Sequence, residues 1–133
     1  VARRLILDTG VLIRAERGAA GLASLLEGSD DVSLAAVTVA ELQFGVELAD
    51  GSNRERRQAF VDGLLALVPV DDYTADTARI HARLLAHVRR SGKPWGAHDL
   101  IIAATAAATA RTVVTTDAKA AFDDLPGVHA IIL

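Results

Sequence analysis

A three-layer α/β/α domain with a mostly parallel central sheet is the fold this chain predicts, and three observations carry the prediction. Short β-like runs alternate with longer helical ones along the sequence, the pattern of strands joined by crossover helices. The length, 133 residues, suits one domain, and no Gly/Ser/Pro linker or repeat divides it, so residues 1–133 are expected to form a single unit. The composition is 51% hydrophobic and 23% charged, apolar enough to build one core and too apolar for a disordered chain.

The elements follow in order. Arg3–Asp8, with Leu5-Ile6-Leu7 at its centre, reads as a strand. Val11–Arg17 and Ala19–Glu27 read as helical pieces parted by Gly18, and Val32–Val37 as a second strand. Thr38–Leu48 reads as a helix opened by Thr-x-x-Glu, and Asn53–Ala66 as another, with Phe60, Leu64 and Leu67 at helical spacing. Val68–Val70, next to Pro69, reads as a brief edge strand. Tyr73–Arg90 is a long helix, Gly92–Gly96 a turn, and Ala97–Ala110 a helix rich in Ala, Ile and Thr. Thr112–Thr115 is a strand, Lys119–Asp123 a short helix and His129–Leu133 a last strand.

Composition narrows the function. There is no Cys, which excludes disulfides, thiolate metal sites and a thiol nucleophile and fits a reducing compartment. Val1–Arg4 runs straight into a strand, with no signal-like segment. The apolar run Leu100–Val114 is broken by Arg111 and is shorter than the ~20 residues of a bilayer span. A soluble cytoplasmic protein without a membrane partner is therefore expected. The formal net charge of −3 gives no overall attraction to nucleic acid, so an RNA substrate would need local cations or bound metal.

Ligands of parallel sheets bind beyond the carboxyl ends of the strands, and acids cluster at those places here. Asp8 ends the first strand, and Asp117 directly follows Val113-Val114-Thr115. Glu41 falls in the first turn of the helix after the second strand, and Asp99 in the first turn of the Ala-rich helix. Each has a plainer reading as a helix cap or dipole partner, and Thr38-x-x-Glu41 is a ready capping box. Taken singly, Glu41 reads better as a cap. Taken together, four converging carboxylates would raise one another's pKa values, and their natural counter-ion is a hard cation such as Mg²⁺ or Mn²⁺.

Four segments resemble the PIN-domain family, in particular its VapC toxins. They are Leu7-Asp8-Thr9, Val39-Ala40-Glu41-Leu42-Gln43-Phe44-Gly45-Val46, His98-Asp99-Leu100-Ile101-Ile102-Ala103-Ala104 and Val114-Thr115-Thr116-Asp117, in the family's order. The resemblance implies an endoribonuclease whose Asp8, Glu41, Asp99 and Asp117 hold one or two Mg²⁺ or Mn²⁺ ions, with Asp8 and Asp99 the most direct ligands. It also implies a homodimer and a VapB-like antitoxin that blocks the active site. Thr115 matches a supporting hydroxyl residue, and Thr9 is a further supporting candidate. Two positions depart from the pattern: Gly10 stands where many relatives carry Ser or Asn, and Trp95 where a small aliphatic is commoner. The implied chemistry is hydrolysis by water whose pKa a bound metal lowers from ~15.7 toward ~7, leaving a 5′-phosphate and a 3′-hydroxyl.

Arg14, Arg17, Arg89, Arg90, Lys93 and Trp95 are the candidate RNA contacts, cations for phosphates and an aromatic for a base. A solvated stripe and a Trp folded onto the core are the plainer readings. Arg54, Arg56 and Arg57 read as surface, Arg79 as neutralised by Asp76, and the four histidines as bystanders, His98 being notable only for its neighbour Asp99. Surplus apolar positions in Val11–Leu26 and Asn53–Leu67 suit a dimer or antitoxin surface, or simply cover the sheet. Gly10 occupies the place where an aspartyl-phosphate phosphatase needs its second acid, and a phospho-receiver domain would need an acid pair that is missing. The remaining alternative is a catalytically silent PIN-like module that binds RNA or antitoxin, against which the presence of all four acids argues.

Overall fold

A computed structural model describes residues 2–18 and 28–133. Its strands are β1 (Arg4–Leu7), β2 (Asp31–Ala35), β3 (Val70–Asp71), β4 (Thr112–Thr115) and β5 (Ala130–Ile132). They form one five-stranded sheet in the order β3-β2-β1-β4-β5, every pair parallel. The helices are α1 (Thr9–Glu16), α2 (Ala36–Leu48), α3 (Gly51–Leu67), α4 (Ala75–Ser91) and α5 (Ala97–Ala108). The helix expected at Ala19–Glu27 lies outside the described residues.

Side-chain alternation assigns the two faces of the sheet. Leu5, Leu7, Leu34 and Val114 point one way, onto Val11 and Leu12 of α1, Leu42 and Val46 of α2 and Val61 of α3. Ile6, Ala35 and Val113 point the other way, onto Leu84 of α4, several α5 residues and Phe122. A strand buried on both faces must be apolar throughout, which is why Leu5-Ile6-Leu7 is an unbroken run, each residue no more than 1% exposed. The three-layer α/β/α arrangement is the one the sequence predicts.

The differences have local causes. β2 ends at Ala35, not Val37, and α2 starts two residues before Thr38. The capping box at Thr38 and Glu41 therefore does not form. Ala35 is the N-cap with no side-chain bond, and the fully buried Thr38 hydroxyl lies 3.1 Å from Thr9 Oγ1 instead. The edge strand slides to Val70–Asp71, with Pro69 contributing only its carbonyl, to Leu34 N–H at 3.0 Å. α4 starts at Ala75, capped by Thr74 Oγ1 accepting from Thr77 N–H at 3.2 Å, and stops at Gly92, whose φ of 71° is left-handed. The helix expected at Lys119–Asp123 is two 3₁₀ turns, Ala118–Ala120 and Phe122–Asp124, divided by Ala121 at φ 53°. Among the described residues, no helix is long and apolar enough to cross a membrane.

Candidate active site

The chain leaves β1 for β2 on one side, while β4 pairs with β1 on the other. The crevice beyond the carboxyl ends of β1 and β4 is thus the switch point of the sheet, the place where such sheets open a site. Asp8 stands there at the N-cap of α1, and its backbone N–H donates to Val114 O at 2.9 Å. Its carboxylate is buried, and Thr115 Oγ1 donates to Oδ2 at 2.9 Å. The same Thr115 oxygen accepts from the backbone N–H of Asp117 at 3.0 Å, so one hydroxyl ties the two loop ends together. Asp117 is exposed and also caps the turn behind it, accepting from Lys119 N–H at 2.9 Å.

Glu41 lies in the second turn of α2, beyond reach of a capping role. Thr9 Oγ1 donates to its Oε1 at 2.8 Å, and His98 Nδ1 is 3.3 Å from its Oε2. Asp99 sits in the first turn of α5, close over the N-cap Gly96. A Cβ at Gly96 would stand 2.9 Å from Asp99 Oδ2, so only glycine lets that carboxylate take this position.

The four acids act on one another. Burial pushes Asp99 up to about 6 from 3.8; the charges of Asp8, Glu41 and Asp117 add to the rise, and His98 opposes it. Burial also raises Asp8, against the Thr115 and Thr9 hydrogen bonds that lower it, with Glu41 and Asp117 raising it further. Among the described residues no Lys or Arg forms an ion pair with any of the four. Nor do any three His, Asp or Glu groups there close into a ready ligand cage. The arrangement is an open, mutually repelling set of hard oxygen donors, which fits a divalent cation by chemistry and charge.

A cleft of about 690 Å³ opens on Asp99 and Asp117, lined also by Lys93, Trp95 and Lys119. Trp95 packs on the core, as its plainer reading expects, edge-on to Phe122 with centroids 6.0 Å apart, and it also lines the cleft. A smaller cleft of about 380 Å³ opens on Glu41, lined by Arg17, Arg56 and Arg57. Arg57 is engaged by Glu16 at 3.7 Å and Gly45 O at 3.1 Å. Arg14, Arg89 and Arg90 are exposed and line neither cleft; the last two sit in the final turn of α4, where the helix dipole favours cations. Arg56 is exposed, as the sequence reading has it, and also lines the smaller cleft; that reading did not single out Lys119 on the larger cleft or Gly96 beneath Asp99. Lys119 had a signal, its place two residues after Asp117; Gly96 had one in its place three residues before Asp99.

The fold and its acidic rim define a parallel-sheet α/β/α domain with a carboxylate-lined crevice, and comparison with known proteins gives the family. The PIN domain matches residues 5–128. The chain is 38% identical over 130 residues to Ribonuclease VapC5 of Mycobacterium tuberculosis, covering 95% of this chain and 93% of that one. It is 35% identical over 131 residues to Toxin FitB of Neisseria gonorrhoeae, covering 89% and 91%. The crystal structure of a VapBC-family toxin–antitoxin member, VapBC-5 of Mycobacterium tuberculosis, superposes with a TM-score of 0.81 at 34% identity over 98% of each chain. This chain belongs to the PIN-domain family.

Proposed function

We infer that this protein is an endoribonuclease and the toxin half of a VapBC-type pair, and we propose that Asp8, Glu41, Asp99 and Asp117 hold one or two Mg²⁺ or Mn²⁺ ions for that reaction. One observation carries the metal reading: four separate segments deliver carboxylates to one place, where burial and the neighbouring acids raise the proton affinity of Asp8 and Asp99, and no Lys or Arg among the described residues forms an ion pair with any of the four. The ribonuclease and toxin reading draws on the relatives' names and on structures solved as VapBC and FitAB complexes. By that analogy the partner is a VapB-like antitoxin. A homodimer belongs to the same reading, and the exposed Phe44, Leu48, Leu65 and Leu67 of α2 and α3 supply apolar surface for assembly.

When bound, the cation makes water more acidic and draws charge from the phosphate. The chain's residues do the placing. Thr115 fixes Asp8 and Thr9 fixes Glu41, so two donors are oriented before any cation arrives. Asp99 serves once ionised. The water oxygen joins phosphorus, the bond to the 3′ oxygen breaks and that oxygen takes a proton, leaving a 5′-phosphate and a 3′-hydroxyl.

Incubating pure protein with RNA in Mg²⁺ or Mn²⁺, and in EDTA, tests this. Cleavage is expected only with the ion, with 5′-phosphate ends, and is expected to fall by at least ~100-fold in Asp99→Asn. Equal cutting in EDTA, or a 2′,3′-cyclic end, contradicts the reading. RNA binding without any cleavage favours the silent binding module.

A further inference from the structure

The larger cleft has the dimensions and lining of a ligand site that the four acids alone do not explain. Its volume, about 690 Å³, lies within the span of small-ligand pockets, roughly 300–1,000 Å³. Asp99 and Asp117 bring the acid centre to its wall. Lys93, from the loop after α4, and Lys119, from the turn after β4, are two exposed cations on that wall, and neither forms an ion pair among the described residues. Trp95 lies between Lys93 and Asp99 in sequence, and its contact with Phe122 holds the indole in place. A preset aromatic plane loses little entropy on stacking.

Resting on the ribonuclease reading above, we propose that this cleft receives one unpaired nucleotide of single-stranded RNA next to the cleaved phosphodiester, its base against Trp95 and its phosphate held by Lys93 and Lys119. A base inside a duplex cannot stack on a side chain, so the cleft selects single strands. His87 and Ser91 line the same space and suit the ribose hydroxyls. Lys119 thereby becomes a substrate-binding residue, and strand preference a property of this cleft.

Trp95 is the chain's one tryptophan, so its emission reports on the cleft directly. The test titrates a short single-stranded oligoribonucleotide, end-labelled for anisotropy, into Asp8→Asn protein in Mg²⁺, so that bound RNA is not cut. Trp emission is expected to be quenched in step with the anisotropy. The same RNA annealed to its complement should leave emission unchanged. Lys93→Ala and Lys119→Ala, both at exposed positions, should each weaken binding roughly tenfold, the loss of one charge-assisted phosphate contact. Anisotropy that saturates while Trp emission stays constant overturns the proposal, as does undiminished affinity in both lysine variants. Wild-type cleavage run in parallel separates the two readings. Quenching without any cleavage removes the nuclease and leaves the cleft, whereas cleavage with an unmoved Trp95 does the reverse.

Discussion

Two threonines orient the acid centre. Thr115 Oγ1 donates to Asp8 and accepts from Asp117 N–H, at 2.9 and 3.0 Å. Thr115→Val keeps the volume and removes both bonds, so we expect a loss of roughly 10–100-fold in metal affinity and cleavage, the range for removing a support behind a ligand. Calorimetric Mn²⁺ titration checks it, and Thr115→Ser should restore most of the loss. The acids also set a pH dependence. Asp99 stands at about 6 in the metal-free fold against 3.8, and Asp8 is raised too. The fold thus binds protons that the unfolded chain releases. Their stabilising effect is complete below about pH 4 and is lost as pH rises through about 6, so metal-free protein weakens across that window. Mg²⁺ removes the repulsion, and should raise Tm more at about pH 7 than at about pH 5 in thermal melts. A larger gain at the lower pH would contradict the coupling.

At the element scale, the N-cap of α5 sets where the Asp99 carboxylate stands. Gly96→Ala would place a Cβ 2.9 Å from Asp99 Oδ2, so the carboxylate must move. We expect about tenfold weaker Mn²⁺ binding with little change in urea stability, because the helix itself is unaltered. Beneath the sheet, Arg111 donates to Asp71 Oδ2 at 2.9 Å, Asp31 Oδ1 at 3.0 Å and Asp31 O at 2.8 Å, linking β4 to β2 and β3. Arg111→Ala leaves the half-buried Asp71 without its cation and should cost about 3 kcal/mol in urea denaturation. The sequence showed Arg111 only as a break in an apolar run, because its partners lie 40 and 80 positions away. By contrast, the strands β1 and β4 were legible from their apolar centres, Leu5-Ile6-Leu7 and Val113-Val114, each closely followed by an acid, and the helix α5 from its Ala-rich length. The start of α2 was not legible. β-Branched Val37 favours a strand locally, and the Thr38 hydroxyl that suggests a cap meets Thr9, 29 residues away, instead.

Across the whole molecule, the ribonuclease reading requires a chain of net charge −3 to hold a polyanion. On that reading the cations that line the two clefts answer the requirement: Lys93 and Lys119 on one, Arg17 and Arg56 on the other. The topology explains the convergence of the acids, because parallel pairing puts the carboxyl ends of β1 and β4 on one rim and the reversal of strand order there opens the crevice. The acids' positions at strand ends made that much readable in advance; the clefts between them depend on packing that no local pattern encodes. Whether those acids share a cation is tested most directly by Mn²⁺ binding, measured by calorimetry on wild-type protein and on Asp8→Asn. We expect one or two ions on the wild type, proton release on binding near pH 6, and loss of that binding in the variant. Wild-type protein that takes up no Mn²⁺, or a variant that binds it equally well, would contradict the account.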